Sequence, residues 1–286
     1  MKPAWICRRT SATLVQDCFP PRDPESHKGD YGKVLLLCGS EGFTGAAALA
    51  AKAALRSGSG LIFTGVPRAV YPIVAAKLDA PMAFPLPDKD GKLSPEALPE
   101  ILKRLETVDA CLLGPGLGRS PEVDALVLEV IRHCRVPLAL DADGINAAAG
   151  HIDVLRGAAC PLILTPHEGE FRRLTRKAEK DRIDGARNLA RETGAVILRK
   201  GHTTVITDGE QTYVNRTGNA GMATGGSGDV LSGILVSILG RGIPPLEAAA
   251  AAAWLHGRAG DLAAARLGQY AMGPGDLLDE LPRLLP

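Results

Sequence analysis

Five short hydrophobic runs, at residues 34–37, 61–64, 110–113, 138–140 and 162–164, contain no charged residue. Runs of this length without polar alternation suit strands covered on both faces, the condition of a parallel sheet between helical layers. The segments between them, among them 46–56, 94–105 and 121–132, carry helical spacing. Strands alternating with helices predict a doubly wound α/β fold, mainly parallel and flanked by helices. Near residue 195 the rhythm changes to three short strands, 195–199, 203–207 and 211–215, the last two joined through Asp208-Gly209. An Asp-Gly step is a strong hairpin signal, so an antiparallel edge hairpin is expected. Residues 1–26 are proline-rich and weakly periodic and read as an arm or short helix; residues 27–286 read as one domain.

In open α/β sheets ligands bind beyond the carboxyl ends of the strands, and here those ends are crowded with glycine and polar residues. Residues 39–47 follow the first strand with a glycine-rich turn that is neither a P-loop nor a complete dinucleotide fingerprint. Gly114, Gly116 and Gly118 follow another strand and serve either a ligand or a turn needing positive φ. Asp141, Asp143 and Asn146 end the next; Asp143 or Asn146 is equally read as a helix cap. His167, Glu168 and Glu170 come after the fifth run, where two carboxylates also suit a helix start on dipole grounds alone. Lys200, Gly201, His202, Thr203 and Thr204 lie between two antiparallel strands, as a phosphate or ribose contact or as a solvated turn.

The run from Gly218 to Ser232 is more specific. It sets Gly225, Gly226 and Gly228 in a short loop, places Asp229 directly after the last, and continues as the apolar stretch 230–239. Missing Cβ atoms let a ligand approach the backbone. Gly225, Gly226, Ser227 and Gly228 at the start of a helix then form an anion hole from N–H groups without intrahelical partners. A carboxylate beside a bound phosphate needs a purpose, and taking the proton from a hydroxyl that attacks phosphorus is one.

Composition removes other classes. With 33 basic against 32 acidic residues and a net charge of +1, no electrostatic footprint for nucleic acid or an anionic membrane exists. No window reaches the roughly 18 apolar residues of a spanning helix, and the N-terminus lacks a signal-peptide core. Six cysteines without C-x-x-C spacing predict reduced thiols in a soluble, cytoplasmic protein.

The 218–232 run resembles the signature of the ADP/ATP-dependent NAD(P)H-hydrate dehydratases of the ribokinase-like superfamily. Residues 27–33 running into 39–47, then 113–118, 140–146, 165–170 and 200–204, look like that family's motifs in the same order; the likeness covers residues 27 to 280. The resemblance implies a ribokinase-like fold. It also implies that Ala46, Gly116, Gly118 and His167 contact the hydrated nicotinamide nucleotide, and that Lys200 to Thr204 with Gly228 hold ADP or AMP. Asp229 would face the substrate hydroxyl as the base. The implied reaction is nicotinamide cofactor repair of the S-epimer of NADHX or NADPHX. A phosphoryl group passes from ADP, or less favourably ATP, to the C6 hydroxyl and then leaves as phosphate. Mg²⁺ and a homotetramer are expected by the same likeness, with the metal ligands open. Many relatives carry a fused N-terminal epimerase. The residues before His27 are too few for one, so a separate epimerase is expected to supply the other isomer. The rivals are a hydroxyethylthiazole-type or pyridoxal-type kinase of the same superfamily and a non-catalytic nucleotide sensor.

Overall fold

In the computed structural model, which describes residues 6–175 and 181–286, the chain forms twelve strands: β1 (Ile6–Arg9), β2 (Lys33–Leu37), β3 (Leu61–Pro67), β4 (Met82–Leu86), β5 (Asp88–Lys89), β6 (Lys92–Leu93), β7 (Ala110–Leu113), β8 (Leu138–Leu140), β9 (Leu162–Leu164), β10 (Val196–Arg199), β11 (Thr204–Thr207) and β12 (Gln211–Asn215). Ten of them build one sheet in the order β1-β12-β11-β10-β9-β8-β7-β2-β3-β4, and β5 and β6 pair separately. From β4 to β10 every pairing is parallel. The β10–β11 and β11–β12 pairings are antiparallel, as the Asp208-Gly209 step predicts.

The uninterrupted apolar runs are explained by their surroundings. Val34 and Leu36 of β2 enter a hydrophobic layer with residues of the helices Thr44–Arg56, Ser227–Gly240 and Pro245–Leu267. Leu35 and Leu37, pointing the other way, join residues of Leu98–Leu105, Pro121–His133 and Arg182–Thr193. Both faces are therefore core. In the first layer the packing is unusually close because small residues line it. A Cβ on Gly233 would stand 2.2 Å from the Ala50 carbonyl oxygen. The Ser227–Gly240 helix thus lies directly against Thr44–Arg56.

Besides the two-residue β5 and β6, two strands of the large sheet escape the sequence reading. β4 contains Pro85, which removes a ladder donor and is tolerated because β4 is the sheet's outermost strand. The opposite edge is β1, running parallel to β12 from within the segment expected as an arm. The hairpin is therefore covered rather than terminal on that side. The same segment then forms the helix Ala12–Cys18, whose start is capped by the Ser11 hydroxyl accepting from the Leu14 N–H (3.3 Å). Residues 1–5 of the expected arm lie outside the described residues. Among the described residues no helix is long and apolar enough to cross a membrane.

Strand order reverses between β2 and β7: successive strands β3 and β4 lie on one side of β2 and β7, β8 and β9 on the other. The crevice at such a reversal is where this architecture admits ligands.

Candidate active site

The loops after β2 and β7 meet at that crevice. The Gly39 N–H donates to the Pro115 carbonyl (2.8 Å), and the Ser40 hydroxyl donates to the Gly116 carbonyl (2.8 Å). Gly116 has φ +64°, and a Cβ there would lie 2.8 Å from the Ala46 Cβ and 2.9 Å from the Phe43 Cβ. The Gly118 N–H is held by the Asp143 carboxylate (2.9 Å). Asp143, read from sequence as a candidate helix cap, instead ties two strand ends together; its helix has Ala142 at the N-cap and no side-chain capping bond. Ala46, Gly116 and Gly118, separated by some seventy residues of sequence, form one wall, with Phe43 more than half exposed at its rim.

A second wall is built on the carboxyl ends of β8, β9 and β10. Asp141, only 2% exposed, accepts from the Lys200 ammonium (2.7 Å), the Thr165 hydroxyl (2.8 Å) and the Ser232 hydroxyl (2.7 Å). Burial works against its charge, but the Lys200 ammonium and these three hydrogen bonds prevail and hold its carboxyl below the usual range. Burial also penalises Lys200, yet Asp141, Glu170 and Asp229 around it push its pKa upward. Ala142, between Asp141 and Asp143, has φ +50°, a conformation rare for residues with a side chain.

Asp229 rises from the first turn of the helix Ser227–Gly240. Gly226 precedes that helix with φ +95°; a Cβ there would strike Leu49 Cδ1 at 2.7 Å and Pro274 Cγ at 2.9 Å. The Ser227 N–H turns back to the Thr224 carbonyl (3.4 Å) and the Val230 N–H to Gly226 (3.2 Å). The donors left between them are those of Gly228 and Asp229. Of the four residues expected to form an anion hole, Ser227 has its N–H already engaged. A Cβ on Gly228 would be 3.7 Å from the Lys200 Nζ, so glycine, ammonium and Asp229 converge. Burial, then the nearby Asp141 charge, push the Asp229 carboxyl up to about 7, against the opposing pull of Lys200.

His167 is placed beside Lys200 but is already occupied. Its Nδ1 accepts from the Gly169 N–H (2.9 Å), while the His167 backbone N–H donates to Glu170 Oε2 (2.8 Å). This is the reciprocal arrangement of a capping box, with imidazole in place of a hydroxyl. Its Nε2 faces Glu170 Oε1 at 3.2 Å. Burial and the Lys200 charge lower the His167 pKa, and burial pushes Glu170 up to about 7.

The strand-connecting turn holding Lys200 and Gly201 is braced from behind. Arg182 donates to the Lys200 carbonyl (3.0 Å) and to Glu168 (2.9 Å). Arg199, 2% exposed, meets the same carboxylate (2.9 Å) and stacks on Phe171 with its guanidinium carbon 3.7 Å from the ring centroid. Thr204 donates to the Gly201 carbonyl (3.1 Å), and His202 is exposed at the tip. Sequence reasoning missed Arg182, Arg199 and His256. The last lies one helix away, its Nε2 2.8 Å from the Ser227 carbonyl oxygen.

Against known proteins, a family profile described as NAD(P)H-hydrate dehydratase matches residues 34–283. A bifunctional NAD(P)H-hydrate repair enzyme of Moorella thermoacetica is 48% identical over 285 residues, covering 97% of this chain and 54% of that protein. The chain spans about half the length of the bifunctional relatives it matches. An ADP-dependent (S)-NAD(P)H-hydrate dehydratase of Cenarchaeum symbiosum is 36% identical, with 95% of this chain and 94% of that one covered. Among solved structures, the ADP/ATP-dependent NAD(P)H-hydrate dehydratase of Bacillus subtilis, co-crystallised with ATP and Mg²⁺, superposes with a TM-score of 0.81 at 31% identity, covering 97% of both chains.

Proposed function

The chain belongs to the NAD(P)H-hydrate dehydratase family, and from that premise we propose that it dehydrates the S-epimer of NADHX or NADPHX at the expense of a nucleotide, ADP in preference to ATP. The observation that carries this reading is the placement of Asp229. A carboxyl titrating near neutrality stands beside two unpaired helix N–H groups and within the field of Lys200.

In this reading Ala46, Gly116, Gly118 and His167 bound the hydrate, and Lys200 to Thr204 with Gly228 receive the nucleotide. Asp229 takes the proton of the C6 hydroxyl as its oxygen attacks the terminal phosphorus. The phosphorus–oxygen bond to the nucleotide breaks, releasing AMP from ADP. The phosphate on C6 then departs with its bonding pair as C5 loses a proton, restoring the ring double bond. Helix N–H groups and the Lys200 ammonium stabilise charge on the phosphoryl oxygens in both steps.

Among the described residues no three His, Cys, Asp or Glu side chains are placed to hold a metal, and Asp141 already accepts three hydrogen bonds, one of them from an ammonium. An all-protein magnesium cage does not fit. The arrangement suits the mode in which Mg²⁺ leans on nucleotide phosphates, where its chemistry is to neutralise their charge. A homotetramer, a cytoplasmic location and pairing with an epimerase activity complete the reading. The free state of all six cysteines is in keeping with such a location.

The test is to mix the protein with acid-hydrated NADH and ADP or ATP and follow the near-ultraviolet absorbance of the dihydronicotinamide. Recovered absorbance with stoichiometric phosphate supports the dehydratase. A phosphorylated product without recovery supports a kinase, and no nucleotide consumption a sensor.

His167→Ala separates two roles of one side chain. Loss of its cap should lower stability by about 1 kcal/mol, read by thermal melting. Titrations should show affinity for the hydrate falling more than affinity for ADP; equal losses would remove His167 from the substrate wall.

A further inference from the structure

The helix Pro245–Leu267 grips the glycine-rich loop at both ends. At its start, the Gly218 N–H donates to Asp261 Oδ2 (3.2 Å), and the Asn219 amide donates to the Gly260 carbonyl (2.9 Å) and to Asp261 Oδ1 (3.3 Å). Gly257 admits this contact, because a Cβ there would stand 2.2 Å from Thr217 Oγ1. At the loop's far end the same helix offers His256. Its Nε2 lies 2.8 Å from the Ser227 carbonyl oxygen and 3.2 Å from the Ser227 hydroxyl. A carbonyl has no hydrogen to give, so Nε2 is the protonated nitrogen and the ring donates. Burial drives the His256 pKa down to about 4, with Lys200 adding to the effect against Asp141 and the Ser227 hydrogen bond. The ring is thus neutral, and this tautomer persists at neutral pH.

Ser227 opens the helix that carries Asp229 two residues later. Its carbonyl belongs to the first turn, whose angle about the helix axis decides where the Asp229 carboxylate and the Gly228 and Asp229 N–H groups point. We propose that His256 is a positioning residue, whose Nε2–H bond to the Ser227 carbonyl fixes the first turn of that helix and thereby aims Asp229 at the substrate hydroxyl. The inference rests on the dehydratase reading for its effect on turnover, but not for its effect on the loop. A misplacement of about 1 Å costs on the order of 10²-fold in rate when a reacting group loses alignment.

The two amides distinguish alignment from bulk. Glutamine carries its Nε2 about where the imidazole Nε2 stands, whereas the asparagine amide matches the Nδ1 position and falls short. In the full chain, His256→Asn should lower kcat by about 10- to 100-fold with KM for ADP within roughly threefold. His256→Gln should restore kcat to within roughly threefold of the unmodified protein. Hydrogen exchange of peptides spanning 218–232 should quicken in His256→Asn and return to normal in His256→Gln, with the melting temperatures alike. Equal turnover in both variants overturns the proposal, as does quickened exchange spread over the whole chain. If His256→Asn does not fold, His256→Gln decides alone: normal exchange at 218–232 supports the bond, and quickened exchange there refutes it. Should the unmodified protein prove inactive on hydrated NADH, the functional reading falls, and the exchange pattern still decides the role of His256.

Discussion

Asp229→Asn should cut turnover by about 10²–10⁴-fold, the span associated with loss of a general base, while ADP binding measured by calorimetry stays nearly unchanged. The asparagine amide keeps the shape of the carboxylate but cannot accept the hydroxyl proton. The helix N–H groups, Gly228 and Lys200, proposed to receive the phosphates, remain in place. A pH profile checks the same assignment independently. Burial and Asp141 hold the Asp229 carboxyl at about 7, so kcat/KM should rise with pH through about 7 as the base ionises, and Asp229→Asn should lack that limb. The sign for stability is opposite. A carboxyl whose folded pKa is raised contributes stability below its unfolded value near 3.9, and that contribution is lost as pH rises through about 7. Asp229→Asn should therefore melt higher than the unmodified protein at pH 8 and lose this advantage toward pH 4. A variant with full turnover and an unshifted acid limb would remove Asp229 from the chemistry.

The frame around this residue is legible in the chain because parallel strands advertise themselves. The runs at 34–37, 110–113, 138–140 and 162–164 are buried on both faces and have no reason to alternate. Within the large sheet, the strands that escaped are those at its margins. β4 carries Pro85 because an edge tolerates it, and β1 is four residues long with Arg8 and Arg9 among them. The loops show the same division. Glycines at 116, 118 and 226 reveal close approach without any knowledge of what approaches. Asp141 does not reveal itself. Its neighbours in sequence suggest a helix cap, whereas its partners Lys200 and Ser232 lie 59 and 91 residues away. His256 is hidden in an alanine-rich helix, where its spacing reads as core. What sequence conveys well is local periodicity and backbone permissiveness; the charge pairs that set the chemistry of the site come only from the fold.

The pair hidden in this way supplies the largest stability effect expected. In Lys200→Met, Asp141 would keep its two hydroxyl donors but lose its ion-pair partner at 2.7 Å, while remaining 2% exposed. Breaking a buried pair by removing one partner costs about 3–5 kcal/mol, because the remaining charge is uncompensated. For a chain of this size that corresponds to a fall in Tm of roughly 5–15 °C. The pH dependence gives the cause. With Lys200 present, the lowered Asp141 pKa contributes stability above the unfolded carboxyl range, and that contribution is lost as pH falls through the depressed value. Without Lys200, burial is opposed only by the Thr165 and Ser232 hydrogen bonds and moves the Asp141 pKa upward from its depressed value, so the variant should be weakest at pH 8 and approach the unmodified protein in acid. Adding Asp141→Asn removes the stranded charge; of the Thr165 and Ser232 hydroxyls, which sit on different carboxylate oxygens, one then donates to the amide oxygen and the other accepts from the amide nitrogen. The double variant should therefore melt above Lys200→Met at pH 8, although it regains no turnover, since the ammonium beside Gly228 is still missing. Identical melting of the two variants across this pH range would show that Asp141 and Lys200 are not coupled, and would leave Lys200 as a nucleotide contact alone.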